Sequence, residues 1–444
     1  MALSEIPAPA LPVDALDAVD AVDAVDGTDA TVDGPPRAPK LRRMSFGLLL
    51  VYVAILAVNS GGNGILLPNI VAGLDEAAKI GNLAIVTTVA FVANIFAQPV
   101  AGALSDATRS RFGRRTPWMV GGALLTSGFL LGLPMAQSVL TVALVWLVVQ
   151  VGVNAIQAAA TALVPDRYPA SRRGGVSAMI GVGITVGNAV GAIVAGSTAS
   201  RGMLPYAFLA VLVLVIIGGF VVVNREAPST DLPRERTSAK DFLRGFWVDP
   251  RRHPDFAWAF GSRFLMVIGF YGAQTYGLYI LRDYIGLSDA ESNSFAATMG
   301  VVLLVGVLLS ALVSGWLSDR VGRRKPFIVW SSVVMSVALA IPLAVPTTTG
   351  VLAYAFLLGL GFGAYISIDL ALMTEVLPAR LQGASSAGRD LAILGLATTL
   401  PQAMSPSIAA GLVTLTGGYP VLFVAGIVFV MLGALAVRPI KAVR

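Results

Sequence analysis

A carboxyl group surrounded by apolar residues is well placed to do chemistry, and this sequence has few. Asp369 stands in GFGAYISIDLALM with apolar residues on both sides. Tyr365 lies four positions earlier and shares its face if the segment is helical. A carboxyl so placed can take up and release a proton, and an ionisable group inside a membrane segment is a functional candidate by default. The competing chemistry is a gate bond, in which Asp369 pairs with a basic residue such as Arg263 or Arg389. Asp166 and Glu375 offer the same two roles. Each is followed by a proline and basic loop residues, which leans Glu375 towards the gate, while Asp166 leans towards the pocket.

Neutral polar side chains form a second set. Gln150, Asn154 and Gln157 are spaced by four and three, one stripe on one helix face, and such a stripe must face protein or water. Helix–helix hydrogen bonding is the plain account; a cavity lining is the sharper one. Tyr271 and Gln274 lie together further along, and Asn59 and Asn63 are candidates of the same kind. Tyrosine rings can stack on the apolar faces of a sugar while amides bond its hydroxyls, so this set suits a neutral polyol. Arg263, on the same segment as Tyr271, reads as a residue snorkelling to the interface or as the partner of a proton site.

Other chemistries are excluded. The chain has no cysteine and one histidine, His253, which precedes a proline in a charged stretch; thiolate metal sites, cysteine nucleophiles and histidine relays fall away. GVGITVG lies inside an apolar run with no P-loop lysine after it, so no nucleotide site is implied. No catalytic residue, metal or cofactor is expected, and the protein does not read as an enzyme.

The elements that must position these residues follow from composition. Of 444 residues, 56% are hydrophobic and 13% charged, where a soluble chain carries about 25% charged residues. The solvent for such a chain is hydrocarbon. Apolar runs long enough to cross about 30 Å lie near 45–68, 81–104, 116–137, 139–163, 174–199, 203–223, 256–281, 291–316, 327–346, 350–373, 389–415 and 419–437, predicting twelve helices. Placing the amino terminus inside puts all but Lys79, Arg201 and Arg282 of the 31 lysines and arginines on the cytoplasmic side, which is the orientation the positive-inside rule selects. Both termini are then cytoplasmic and the location is the cell membrane. The Asp-rich stretch within 1–35 holds eight acids and no base, and reads as a disordered tail. Without it the chain has 31 bases against 17 acids, an excess explained by the inner loops and not by nucleic acid.

The chain also repeats itself. GALSD at 102–106 recurs as GWLSD at 315–319, and GRRTP at 113–117 as GRRKP at 322–326. The same offset, 209, maps ALVPDRYPASRRGGVS (162–177) onto ALMTEVLPARLQGASS (371–386). The expected fold is therefore an all-α membrane protein with two pseudo-symmetric six-helix bundles. Its parts are a tail at 1–43, bundles at 44–224 and 255–438, a linker at 225–254 and a short tail at 439–444. Parallel repeats of this kind hold substrate between two lobes.

GALSDATRSRFGRRTPW resembles the loop signature between the second and third helices of the major facilitator superfamily. The resemblance covers about 44–438 and makes Asp106, Arg114 and Arg115 gating residues, with Asp319, Arg323 and Arg324 as their duplicates. SDxTRSRFGRRxPW, the Gln157-to-Asp166 spacing, VGNAVG (186–191) and LGLATTLPQ (394–402) look like the glycoside–pentoside–hexuronide:cation symporters and the sucrose:proton symporters. Sodium-coupled members carry acids on the first two helices; here those positions offer Asn59, Asn63, Asn94 and Gln98, which favours a proton. The resemblance implies a monomeric alternating-access transporter importing a neutral glycoside, such as a disaccharide, with a proton carried on Asp369 or Asp166. A proton-driven exporter of drugs or metabolites on the same fold is the alternative.

Overall fold

The computed structural model describes residues 38–230, 251, 253–321, 324–376 and 387–440. The Asp-rich stretch, most of the 225–254 linker and Arg323 lie outside the described residues, as do the side chains of Asp319, Glu375 and Arg389. The chain divides into Met1–Arg42 and Arg43–Arg444, and the contacts below lie within the second unit.

Every regular element among the described residues is helical, and twelve helices follow one another. α1 runs through Ala38–Gly61, a π-helical turn at Gly62–Leu66 and Leu67–Leu74; α2 is Lys79–Ala107 and α3 Thr116–Gly132. Then come α4 Val139–Arg167, α5 Ala170–Thr198 and α6 Leu204–Val223. The second set opens with α7, Pro254–Thr275, continued by Gly277–Tyr279 and a second π-helical turn at Ile280–Tyr284. It closes with α8 Asp289–Val321, α9 Lys325–Ala344, α10 Thr348–Val376, α11 Ala387–Thr416 and α12 Pro420–Ala436. Ten of these are long and apolar enough to cross a membrane, and α12 is a shorter apolar helix.

Local sequence sets the starts. Proline occupies the first turn of α3, α6, α7, α9 and α12, where its missing N–H is no loss. Ser138 caps α4 by accepting from the Thr141 amide at 3.2 Å. The α2–α3 loop turns at Gly113, whose φ of +87° only glycine adopts freely.

The packing repeats with a period of six helices. In the first half α2 packs on α4, α3 on α4 and α3 on α6; in the second α8 packs on α10, α9 on α10 and α9 on α12. The halves meet through α2 against α11 and α5 against α8. This is the two-bundle architecture the repeat predicts. Glycines let the backbones approach: a Cβ on Gly183, Gly187 or Gly191 of α5 would come to 2.5, 2.7 and 2.2 Å of the Leu49, Val53 and Ala57 carbonyl oxygens of α1. In the second half Gly359 and Gly363 of α10 meet Leu303 and Val307 of α8 in the same way, at 2.1 and 2.3 Å. Gly181 has open space around it instead. Gly191→Ala is therefore expected to cost about 1–3 kcal/mol by overpacking, while Gly181→Ala is neutral or slightly stabilising. Melting temperatures of the two variants in one detergent check the contrast.

Candidate functional site

Three polar assemblies interrupt this apolar interior. The first lies inside the second bundle. Arg263 Nη1 of α7 and Asp369 Oδ2 of α10 are 2.9 Å apart, with the carboxylate side chain 3% exposed. The two atoms are close enough for an ion pair without being aligned as a hydrogen bond. Arg263 Nε donates to Thr398 Oγ1 of α11 at 3.0 Å. Tyr365 is buried beside Asp369, its hydroxyl again lacking an aligned bond. Phe270 and Phe362 stack at 3.7 Å between centroids, and Phe362 neighbours the Tyr365 ring. One carboxylate and one guanidinium, each the other's counter-ion, give a site whose integrity depends on the charge of Asp369.

The second assembly lies where α2, α3 and α4 end or begin. Asp166 Oδ1 is 2.8 Å from Arg114 Nη2, and its Oδ2 is 3.1 Å from Arg115 Nη2. Arg115 Nη2 also meets Asp106 Oδ1 at 2.5 Å, and its Nη1 donates to Ser105 Oγ at 3.0 Å. The expected gating residues Asp106, Arg114 and Arg115 are thus brought together, and Asp166 joins them. α4 continues to Arg167, so Asp166, which the sequence leans towards the pocket, rides on its last turn beside Arg114 and Arg115. Glu226, which the sequence reading passed over, caps α3 by accepting from the Arg115 and Thr116 amides at 2.8 and 3.1 Å. Of the duplicate gate, only Arg324 is described; it stands at the start of α9.

The third assembly joins the two bundles at the opposite end. Lys79 of α2, a nearly buried side chain, bonds Glu76 at 2.5 Å and Asp283 of α7 at 2.9 Å. Tyr419 donates to Asp283 at 2.5 Å. Burial, then the neighbouring Asp283 carboxylate, push the Tyr419 phenol above its ordinary pKa, so it remains a donor. Arg282 bonds Asn69 of α1 at 2.5 Å and Asp289 at 3.0 Å. Asn69 donates to Asn293 of α8 at 2.8 Å, and Tyr279 to the Pro68 carbonyl at 2.9 Å. Arg282 and Asp283, adjacent in the π-helical turn, reach different partners. The clasp was hidden from sequence reading by separation along the chain, though Lys79 and Arg282 stood out as two of three bases away from the inner loops.

The neutral candidates scatter. Asn154 donates to Asn94 of α2 at 2.7 Å and to the Gln150 carbonyl at 2.8 Å, so it serves helix–helix bonding. Gln150 is buried and Gln157 half-buried. Asn63 donates to the Asn59 carbonyl at 3.1 Å. Tyr271 lies within hydrogen-bond reach of Gln402 on α11. Gln274 lines a cavity of about 10 Å³ with Met299, Tyr354 and Phe423. That is room for one water. Among the described residues no cluster of three or more metal-ligating side chains occurs.

Comparison with known proteins bears on the whole arrangement. The chain is 26% identical over 289 residues to the fujikurins efflux protein of Gibberella fujikuroi, covering 63% of this chain and 57% of that one. It is 33% identical over 104 residues to the niacin transporter NiaP of Acinetobacter baylyi, 23% of this chain and 22% of that one. The match therefore spans little more than half the length of the first relative and about a fifth of the second. Among solved structures, a bacterial homolog of the human lysosomal transporter Spinster, inward-facing and unoccupied, superposes with a TM-score of 0.69 at 16% identity over 90% of this chain and 98% of that one. A D-xylose-proton symporter gives 0.64 at 17% identity, over 91% and 97%. A family model described as the Major Facilitator Superfamily matches residues 49–387 and 292–443, and with the twelve-helix repeat this shows that the chain belongs to the major facilitator superfamily.

Proposed function

We propose that the protein is a secondary active transporter that imports a neutral glycoside, such as a disaccharide, together with a proton. The observation that carries the reading is the buried Arg263–Asp369 pair. A proton on Asp369 cancels its charge and leaves Arg263 without a counter-ion, and removing one partner of a buried pair costs about 3–5 kcal/mol. That is comparable with the roughly 5.5 kcal/mol needed to carry a two-state equilibrium from 1:99 to 99:1, so one proton is enough to bias the two bundles between access states. The lysine and arginine distribution supports an orientation with the Arg115 end and both termini in the cytoplasm and the Lys79 end outside the cell membrane. In that orientation the clasp ties the two bundles at the outer end.

In this cycle Lys79, Arg282 and their partners hold the outer gate, while Asp106, Arg114, Arg115 and Asp166 hold the inner ends of α2, α3 and α4 in one state. Asn59, Asn63, Gln150, Gln157, Tyr271 and Tyr365 supply amides and hydroxyls on the helices expected to face substrate. A monomer suffices, since each access state is built from the two halves of one chain. A proton-driven exporter on the same fold is the second reading, favoured by the likeness to an efflux protein and by the Asn154 amide of α4 being spent on Asn94 of α2.

Uptake of labelled mono- and disaccharides into proteoliposomes, with and without an inward proton gradient, separates these. Gradient-driven accumulation of one sugar is expected, falling to background in Asp369→Asn. Absence of uptake for every sugar would overturn the substrate class and leave the exporter. Asp166→Asn is expected to act differently, slowing turnover while KM stays within about twofold, because a lost gate contact leaves ground-state binding unchanged. Initial-rate kinetics on the accumulated sugar check this.

A further inference from the structure

Three buried polar atoms near the π-helical turn of α1 have no hydrogen-bond partner among the described residues: the indole N–H of Trp146, Oε1 of Gln150 and Oδ1 of Asn63. Trp146 is fully buried and Gln150 is 2% exposed, and four residues apart on α4 they share a face. The indole packs directly on Gly62, where an added Cβ would come to 2.2 Å of its Cη2. Asn63 is the next residue. Its amide nitrogen is spent on the Asn59 carbonyl, which leaves Oδ1 as the free atom. The turn Gly62–Leu66 packs against α5 of its own bundle and α7 and α8 of the other. It lies about 10 Å along α1 from the clasp residue Asn69, so the turn on which the indole packs stands at the junction of the bundles. Such π-helical turns are frequent at functional sites.

We infer that Trp146, Gln150 and Asn63 form a subsite that reads a hydroxyl group of the transported solute. The inference rests on the sugar-transport reading and names the side chains that give it selectivity. The orphan set is one donor and two acceptors. An alcohol can donate to a carboxamide oxygen and accept from the indole at once. A carboxylate would satisfy the indole but face two oxygens; an ammonium would satisfy the oxygens but face the N–H; an apolar group would leave all three unpaired. Buried groups built to bond a hydroxyl reject the analogue that lacks it far more strongly than apolar contacts reject a misfit. Gly62 contributes by absence, since any side chain there would expel the indole.

The test uses [15N]tryptophan-labelled full-length protein titrated with sucrose, maltose and inositol, beside uptake of the same probes into proteoliposomes. Six tryptophans give six indole signals, and Trp146→Phe assigns the one of interest. The expected result is that this signal moves saturably with the transported probe. Trp146→Phe should then raise half-saturation about tenfold with maximal rate nearly unchanged, and Asn63→Leu and Gln150→Leu should act in the same direction. Those two variants carry the comparison if Trp146→Phe fails to fold. A transported sugar that leaves the signal unmoved, with half-saturation unchanged in all three variants, would show that the atoms hold only a buried water and would overturn the subsite. A signal that moves with a polyol in a protein that transports none supports the subsite while removing the symport reading. Neither movement nor transport removes both.

Discussion

Hydrocarbon offers no hydrogen bonds to a charge, and the Arg263–Asp369 contact is where this constraint bears hardest on the protein. Two opposite charges held together in a poorly solvated interior return little net stability over an apolar pair, but each becomes costly once the other is lost. The surroundings sharpen that condition. Tyr365 is buried beside the pair, and Thr398 offers the guanidinium a further acceptor. A contact that is stable only while both groups are charged ties α7 to α10 conditionally, and the packing of the second bundle is built around that condition.

The two bundles share a backbone plan and differ at this point. The 209-residue offset sets Ala160 of α4 against Asp369 of α10, and the neighbouring Thr161 meets Tyr52 of α1 through a hydroxyl–hydroxyl contact of 2.7 Å. A neutral bond therefore ties α1 to α4 where an ion pair ties α7 to α10. The close glycine packing repeats as well, but between different helices, α1 with α5 in one half and α8 with α10 in the other. The duplication preserved the framework and let the chemistry diverge, with an ion pair in one half and a neutral hydroxyl contact in the other.

Much of the framework was legible in the sequence. The twelve apolar runs coincide with twelve helices because a segment crossing hydrocarbon must bond its own backbone, and the 209 offset announced the duplicated packing. The Asp106–Arg114–Arg115 assembly was legible too, since its members stand close together in GALSDATRSRFGRRTPW. What sequence could not give were contacts across the fold. Lys79 and Asp283 are separated by most of a bundle, and nothing in GNGIL or ILRDY signals a π-helical turn. Asp166 was drawn towards a pocket by its spacing from Gln157, yet the extra turn of α4 carries it to the arginines. Asn154 shows the reverse limit: its place in a polar stripe was right, but Asn94 on another helix decides what it bonds.

The clasp and the buried pair stand at different levels of the molecule, so any effect of one on the other must travel through helices they share. α7 is that helix. It carries Arg263 near its start and Arg282 and Asp283 in its π-helical turn, some 30 Å further on at 1.5 Å per residue. A rigid helix passes a tilt or rotation from one end to the other, whereas the short break at Tyr276 and the π-helical turn give its outer end some freedom to keep its clasp partners. The clasp itself is spread over Lys79, Asn69, Tyr279 and Tyr419, so no single bond carries the junction at that end of α7.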